Sequence, residues 1–457
     1  MEDILIVGGG IGGLMCSYRL ITSNPNLKIT LLEKGLDIDQ RHCPIIQKQT
    51  DHCINCKYCS VMEGLAGAGA FSDGKYIISH EYGGWLNDFI GNEKLLDYIY
   101  QADEILVSQG ADTKIYQPSD ELKALCLKYD LHMQQAKIKH LGTDANLKTM
   151  KNLIDFLRKR INIQTESEVV DINITNHEVT YYQNQEKHKV SARYIVLAIG
   201  RSGSGFLSSW CDKNGIELLN NQVDIGVRVE LPALIWEKFS TEIYEPKIWF
   251  RSQKYGDITR MFCFNENGYV VTENTSGIIS VNGHAYKDEK MKSENSNFAL
   301  LSTNRFTNPF KQPIEYARQV AHLANLISGG GILIQRFGDL INGRRTDDKR
   351  LAQSTVTPTL KAVPGDLSLC LPKRQLDNII ETIYALDKIA PGTANTDTLL
   401  YGIECKYYSA RPKFQDFELD KTRGIYTIGD GAGVTRSLSQ ASANGLYVAD
   451  KILNNQT

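Results

Sequence analysis

The stretch "DILIVGGGIGGLM" at residues 3–15 limits what this chain can fold into more than any other. A five-residue apolar run bounded by glycine suits a buried parallel strand. Gly8, Gly10 and Gly13 follow in G-x-G-x-x-G spacing and open a helix-like run, "IGGLMCSYRLIT". A second apolar strand, "KITLLEKG", carries Glu33 near its end. The three glycines serve different ends. Gly8 permits the tight turn, Gly10 lets a diphosphate approach the backbone, and Gly13 lets helix and strand pack closely. The helix N-terminus then offers unpaired N–H groups and a positive dipole to the phosphates. Glu33 is placed to accept hydrogen bonds from an adenosine ribose, which disfavours a 2′-phosphate. Strand, turn, helix, strand and acid in this order predict dinucleotide binding. The alternative is a glycine-rich turn that binds nothing.

This fingerprint does not separate NAD from FAD, and the far end of the chain decides. Residues 424–433 read "GIYTIGDGAG", followed by "VTRSLSQASANGLYVADKIL", which reads as a helix. Asp430 can accept a hydrogen bond from a ribityl hydroxyl. The N–H groups after it, through Gly433, would face a flavin ring, and the helix dipole favours negative charge there. In mid-chain, "ARYIVLAIGRSG" is a buried strand ending in Gly200. Together these three stretches resemble the glutathione-reductase-type FAD flavoproteins. The resemblance implies an α/β chain, a Rossmann-like FAD-binding domain with an inserted α+β substrate domain. It also implies that Gly8, Gly10, Gly13, Glu33 and Asp430 hold FAD, with Val170 of "SEVVDI" near the adenine.

The domain reading follows. Residues 1–215 form the first part of the FAD domain, with a mostly helical insertion at 77–143. Helices are expected at 93–110 and 119–130. In the second, Leu122, Leu125, Cys126 and Tyr129 share a face and Ser119 is the N-cap. The amphipathic run "NLKTMKNLIDFLRKR" precedes a strand hairpin leading to Gly200. Residues 216–395 alternate like strands, as in "VDIGVRVEL", with helices near 312–327 and 375–388, and read as a substrate domain. Residues 396–457 return to the FAD domain. No second dinucleotide fingerprint follows: "GRSGSGFLSS" has Gly203 and Gly205 but Ser208 in the third place. NAD(P)H is therefore expected to bind only transiently as electron donor, or electrons arrive from elsewhere.

Further stretches narrow the resemblance: "GLAGAGAFSDGKY", "VDIGVRVE", "RMFCFNENGYVV", "VNGHAY", "IQRFGDLINGRR" and "YGIECKYYSARP". With the FAD motifs they resemble the uncharacterised bacterial FAD-dependent dehydrogenases over nearly the whole chain. That implies a fold, a cofactor and a redox role, without a substrate. Similar segments lie against the flavin, which makes Gly67, Gly69, Ser72, Asp73 and Lys75 candidates for that edge. The plainer reading is a tight loop whose glycines serve packing.

The net charge of −2 and pI near 6.5 carry no basic nucleic-acid footprint. No apolar run is long enough to span a bilayer, and the acidic, glycine-rich start is unlike a signal peptide. The expectation is a cytoplasmic protein without nucleic-acid or membrane partners. Ten cysteines in such a chain point to metal, redox or core positions rather than a disulfide framework. Cys43, Cys53, Cys56 and Cys59 form C-x9-C-x2-C-x2-C. Four thiolates can satisfy a [4Fe–4S] cluster or a tetrahedral zinc, two of them can serve as redox thiols, and all four can be inert.

For chemistry on a substrate the candidates are His284, Glu404, Tyr407, Tyr408 and Arg411, each with a structural alternative. Arg228 and Glu230 either anchor an acid or pair with each other. Cys263 reads as a core residue. The reading as a whole is an FAD-dependent oxidoreductase, a dehydrogenase or reductase moving a hydride between flavin and a small organic substrate. Electrons would be exchanged with NAD(P)H, a carrier protein or the cysteine-bound centre. A flavin monooxygenase and a non-catalytic flavin and thiol redox sensor are the alternatives.

Overall fold

The computed structural model describes residues 1–457 apart from 45, 46, 48, 51–53, 55, 118, 135, 220, 244, 276, 287, 288, 307–309, 311, 407, 456, 457 and the side chain of residue 275. The chain divides into two compact units, one built from residues 1–115, 136–221 and 409–457, the other from 116–135 and 222–408.

The first unit is Rossmann-like. Strand β1 (Glu2–Val7) runs parallel to β2 (Ile29–Leu32) on one side and to Glu186–Leu197 on the other. Asn162–Gln164 extends the sheet beyond β2, and Ile425–Thr427 extends it beyond Glu186–Leu197, both parallel. The segments around Gly8, Gly200 and Asp430 therefore leave three adjacent strands. These strands are apolar without alternation because both faces are covered. Ile4 and Ile6 pack with helix α1 (Ile11–Ser23) and the C-terminal helix Leu438–Asn454. Leu5 and Val7 point the other way, toward Ile172, Val179 and Trp210. α1 and the C-terminal helix meet on small residues: a Cβ on Gly445 would lie 2.2 Å from the carbonyl oxygen of Gly12.

In the second unit an eight-stranded, mostly antiparallel sheet has Val223–Pro232 between Asn295–Asn304 and Leu399–Lys406. Val223, Ile225, Val227, Val229 and Leu231 join the core under helices Pro313–Ile327 and Lys373–Asp387. The alternate residues Asp224, Arg228 and Glu230 face the opposite side, yet each is fully buried. A hairpin, Tyr269–Thr275 with Ile278–His284, lies in the same unit.

Several boundaries differ from the sequence reading. Leu399–Lys406 pairs inside the second unit, so the return begins at 409 rather than 396. The segment 77–143 is not one helical insertion. It contains helices Asn92–Ser108 and Asp120–Leu127 and strands Leu131–Met133 and Lys137–His140, and residues 116–135 belong to the second unit. The last helix starts at Leu438 because Ser437 caps it, its side chain accepting from the Gln440 N–H. Among the described residues no helix is long and apolar enough to cross a membrane.

Candidate functional site

Parallel pairing brings the C-terminal ends of five strands to one edge of the first sheet, where open α/β sheets bind ligands. Gly8 has φ +111°, and a Cβ there would fall 2.4 Å from the Ala198 oxygen. A Cβ on Gly13 would fall 2.1 Å from the Gly8 oxygen, so α1 sits tight on the strand end. Among the described residues, a Cβ on Gly10, Gly200 or Gly429 would meet nothing within 4 Å, so these three turns border open space there. α1 begins without a side-chain cap and without an acid in its first turn, which leaves its first N–H groups to a ligand.

Glu33 is nearly buried. Its Oε2 accepts from the Gly9 N–H at 2.8 Å, and its Oε1 accepts from Gly35 at 2.9 Å and Gly64 at 3.1 Å. A carboxylate has about four acceptor sites, so among the described residues one on Oε2 is left over. At the opposite strand end, Asp430 accepts from the Thr435 hydroxyl at 2.9 Å and lies 3.8 Å from Arg201. Desolvation holds its carboxyl above the usual range, against the pull of Arg201, Thr435 and Arg436. Gly431 requires its missing side chain, since a Cβ would lie 1.9 Å from the Ile199 oxygen. Gly433, at φ +69°, is similarly pressed by the Ser409 oxygen and Asn221.

The loop after residue 63 is docked on the glycine turn. Ala66 N–H donates to the Gly9 oxygen at 2.8 Å, and Gly67, at φ +62°, lies against the Gly10 Cα. Ser72 donates to the Gly69 oxygen and accepts from Gly74 N–H, while Lys75 pairs with Asp73 at 2.9 Å. Val170 lies 41% exposed where a register shift takes it off the strand ladder.

Two features escaped the sequence reading. Gly83 and Gly84, both at positive φ, carry Trp85 onto the aspartate turn: Trp85 N–H donates to the Val434 oxygen, and Arg436 lies 5.2 Å over the Trp85 ring. The paired glycines were the only available signal. The other is Arg41, 3% exposed, whose guanidinium donates to the carbonyls of Ser60, Val61, Leu65 and Gly67. Backbone carbonyls leave no mark in a sequence.

Of the four cysteines, Cys53 lies outside the described residues, as does Tyr407 among the substrate candidates. Cys43 is half-buried and Cys56 and Cys59 are exposed, all three as free thiols. Among the described residues no three His, Cys, Asp or Glu side chains gather to hold a metal, so the four-thiolate centre is unsupported there.

The substrate candidates separate. Arg411 belongs to the first unit, its guanidinium 5.3 Å over Phe89. Glu404, His284 and Tyr408 belong to the second. Glu404 is fully buried, 3.2 Å from Arg228 and 3.1 Å from Lys406. Arg228 also donates to the side-chain oxygen of Asn297 at 2.9 Å and to the Cys263 oxygen at 2.7 Å. Of the two readings of Arg228 and Glu230, mutual pairing is not seen among the described residues: Glu230 instead accepts from Tyr401 and Thr359. Burial raises Glu230 above its usual range. Glu404 and Glu273 keep the Lys406 ammonium firmly protonated despite its desolvation. Cys263 is not a core residue; it is partly exposed, at φ +45°. His284 packs edge-on to Tyr286 at 4.6 Å, and Tyr408, 5% exposed, donates to Asp224. A Cβ on Gly283, beside His284, would lie 1.9 Å from the Arg228 guanidinium.

Residues 223–407 match the family described as FAD-dependent protein, C-terminal domain-like, a span nearly coincident with the second unit's larger segment. With the dinucleotide turn of the first unit, that match makes the chain an FAD-dependent oxidoreductase, since FAD carries redox chemistry. An uncharacterized protein from Clostridium beijerinckii is 24% identical over 469 aligned positions, covering 98% of this chain and 80% of that one. A 36-residue stretch is 50% identical to thiamine thiazole synthase from Coprinopsis cinerea, covering 8% of this chain and 12% of that one. Among solved structures, glycine oxidase from Bacillus cereus superposes with a TM-score of 0.41 at 11% identity, covering 100% of this chain and 96% of the other. L-Proline dehydrogenase from P. horikoshii gives 0.42 at 11% identity, covering 100% and 94%. At such scores neither structure bears on the assignment.

Proposed function

We propose that the chain is a dehydrogenase or reductase that moves a hydride between FAD and a small organic substrate and exchanges electrons with a nicotinamide or a protein carrier. We also propose that FAD lies as in the glutathione-reductase type, across the ends of the parallel strands. One observation carries the reading: Gly8–Gly10, Glu33, Gly200 and Asp430 leave neighbouring parallel strands at one sheet edge. The residues fit the cofactor. Gly10 and Gly429 border open space where a Cβ would stand, the first N–H groups of α1 lack a cap, and Glu33 retains one acceptor site.

In this reading the α1 N-terminus binds the diphosphate, Glu33 holds the adenosine ribose and Asp430 accepts from a ribityl hydroxyl. FAD, when bound, supplies the hydride-transfer centre. Desolvation raises the Asp430 carboxyl and so disfavours its own charged form. Arg201, Thr435 and Arg436 oppose the effect. The pairing of Glu404 with Arg228 and Lys406 supports a role in holding the second unit together. His284 and Tyr408 are the second unit's candidates for substrate contact.

The test is an absorbance spectrum of freshly purified protein with identification of the released cofactor, followed by anaerobic mixing with NADH and NADPH. Bound FAD and bleaching of its visible band without oxygen support the reading. A colourless protein that takes up no added FAD overturns it.

A further inference from the structure

The segment after the cysteines, residues 59–67, forms a wall of the dinucleotide turn, and Arg41 holds it there. The buried guanidinium reaches four carbonyl oxygens along the segment, at 2.6 to 3.0 Å. Burial draws its pKa down to about 10, opposed by the charges of Glu33 and Glu63. The same segment touches the fingerprint three times. Gly64 N–H donates to Glu33, Ala66 N–H donates to the Gly9 oxygen, and Gly67 lies against Gly10. A second strap runs beside the first. Cys59 N–H donates to Glu63 at 3.3 Å, and Glu63 accepts from Lys34 at 2.6 Å, next in sequence to Glu33.

An arginine buried against carbonyls has lost its water and kept its charge, so the contacts must be good to be tolerated. Four carbonyls in a fork geometry suit guanidinium and not ammonium, which has three donors around one point. Glu33 and the Gly9–Gly10 backbone would meet the cofactor directly, and their placement depends on residues 64–67.

We propose that Arg41 is a positioning residue for FAD, a latch that holds the post-cysteine segment against the phosphate turn and so sets cofactor affinity without touching the cofactor. This rests on the FAD reading above. By linkage, FAD must tighten the segment as much as the segment tightens FAD.

The test uses the full chain stripped of cofactor, with FAD titrated into wild type, Arg41→Lys and Arg41→Gln, and amide exchange followed with and without FAD. In wild type, FAD slows exchange at Gly64, Leu65, Ala66 and Gly67. Arg41→Gln weakens FAD binding about 10- to 100-fold, the scale on which a displaced supporting group acts. It also speeds exchange in 62–67, while peptides from 192–199 and 399–406 exchange as in wild type. Arg41→Lys recovers part of both effects. If Arg41→Gln binds FAD within twofold of wild type, or exchange rises equally in all peptides, the latch is refuted. If FAD binds wild type without slowing exchange at 64–67, the latch is refuted and the FAD reading stands. If wild type takes up no FAD, the FAD reading falls and the latch toward FAD falls with it.

Discussion

Replacing Glu404 with Gln separates a structural from a catalytic role. In the second unit Arg228, Lys406, Glu404 and Glu273 form a charge-balanced group, with Arg228 and Glu404 at zero exposure and Lys406 also 3.9 Å from Glu273. The amide would keep the shape of the carboxylate and remove its negative charge, leaving two cations against one carboxylate. Breaking a buried pair by deleting one partner costs about 3–5 kcal/mol. A domain holds only about 5–15 kcal/mol in all, so the loss is a large share of what the unit has. At urea slopes of about 2–3 kcal/mol/M it corresponds to a midpoint lowered by about 1–2.5 M. The bonds of Arg228 to Asn297 and to the Cys263 oxygen survive, so the variant is expected to fold at low denaturant. Native-state amide exchange in Val223–Pro232 across a urea series reads this unit by itself. Arg228→Met together with Glu404→Gln restores charge balance, and the pair should recover part of the loss, which a double-mutant cycle measures. The reasoning is refuted if Glu404→Gln unfolds like wild type. It is refuted more pointedly if stability holds while the pH–rate profile loses a limb, since Glu404 would then be a titrating catalytic group.

Three further outcomes follow from the same geometry. Gly10→Ala puts a methyl into open space, so the cofactor-free protein should melt as wild type does while FAD affinity falls tenfold or more; equal affinity would show that no diphosphate approaches that turn. Gly445→Ala drives a Cβ to 2.2 Å from the Gly12 oxygen and should destabilise the first unit by about 1–3 kcal/mol, as overpacking does, read by thermal melting. Asp430 carries a carboxyl raised by desolvation, so its ionised form disfavours folding above its folded pKa, and the penalty is absent below the unfolded value near 4. Asp430→Asn should therefore stabilise the cofactor-free protein at neutral pH, lose that advantage as pH falls to about 4, and bind FAD more weakly; an advantage that grows in acid would contradict the assignment.

What could be read in the sequence was local. The runs "DILIV" and "YIVLAI" are short, wholly apolar and bounded by glycine, which is how a strand covered on both faces must look, and they are neighbours in the sheet. Ser119 caps its helix as its position suggests, accepting from Leu122 N–H. What escaped depends on partners far along the chain. "VDIGVRVEL" alternates like a strand with one wet face, but Asp224, Arg228 and Glu230 are dry. Their partners come from Tyr408, Glu404 and Tyr401, more than 170 residues away. Local pattern carries no information on that pairing. The second unit is thus organised on a buried charged face that no local pattern announces, and its strand Leu399–Lys406 supplies both a sheet neighbour and a counter-ion to Val223–Pro232. That double dependence explains the misplaced boundary: a segment read as the beginning of the cofactor domain's return is the one the second unit needs to neutralise Arg228. A buried arginine in mid-sheet needs a counter-ion, and Glu404 supplies it from that segment.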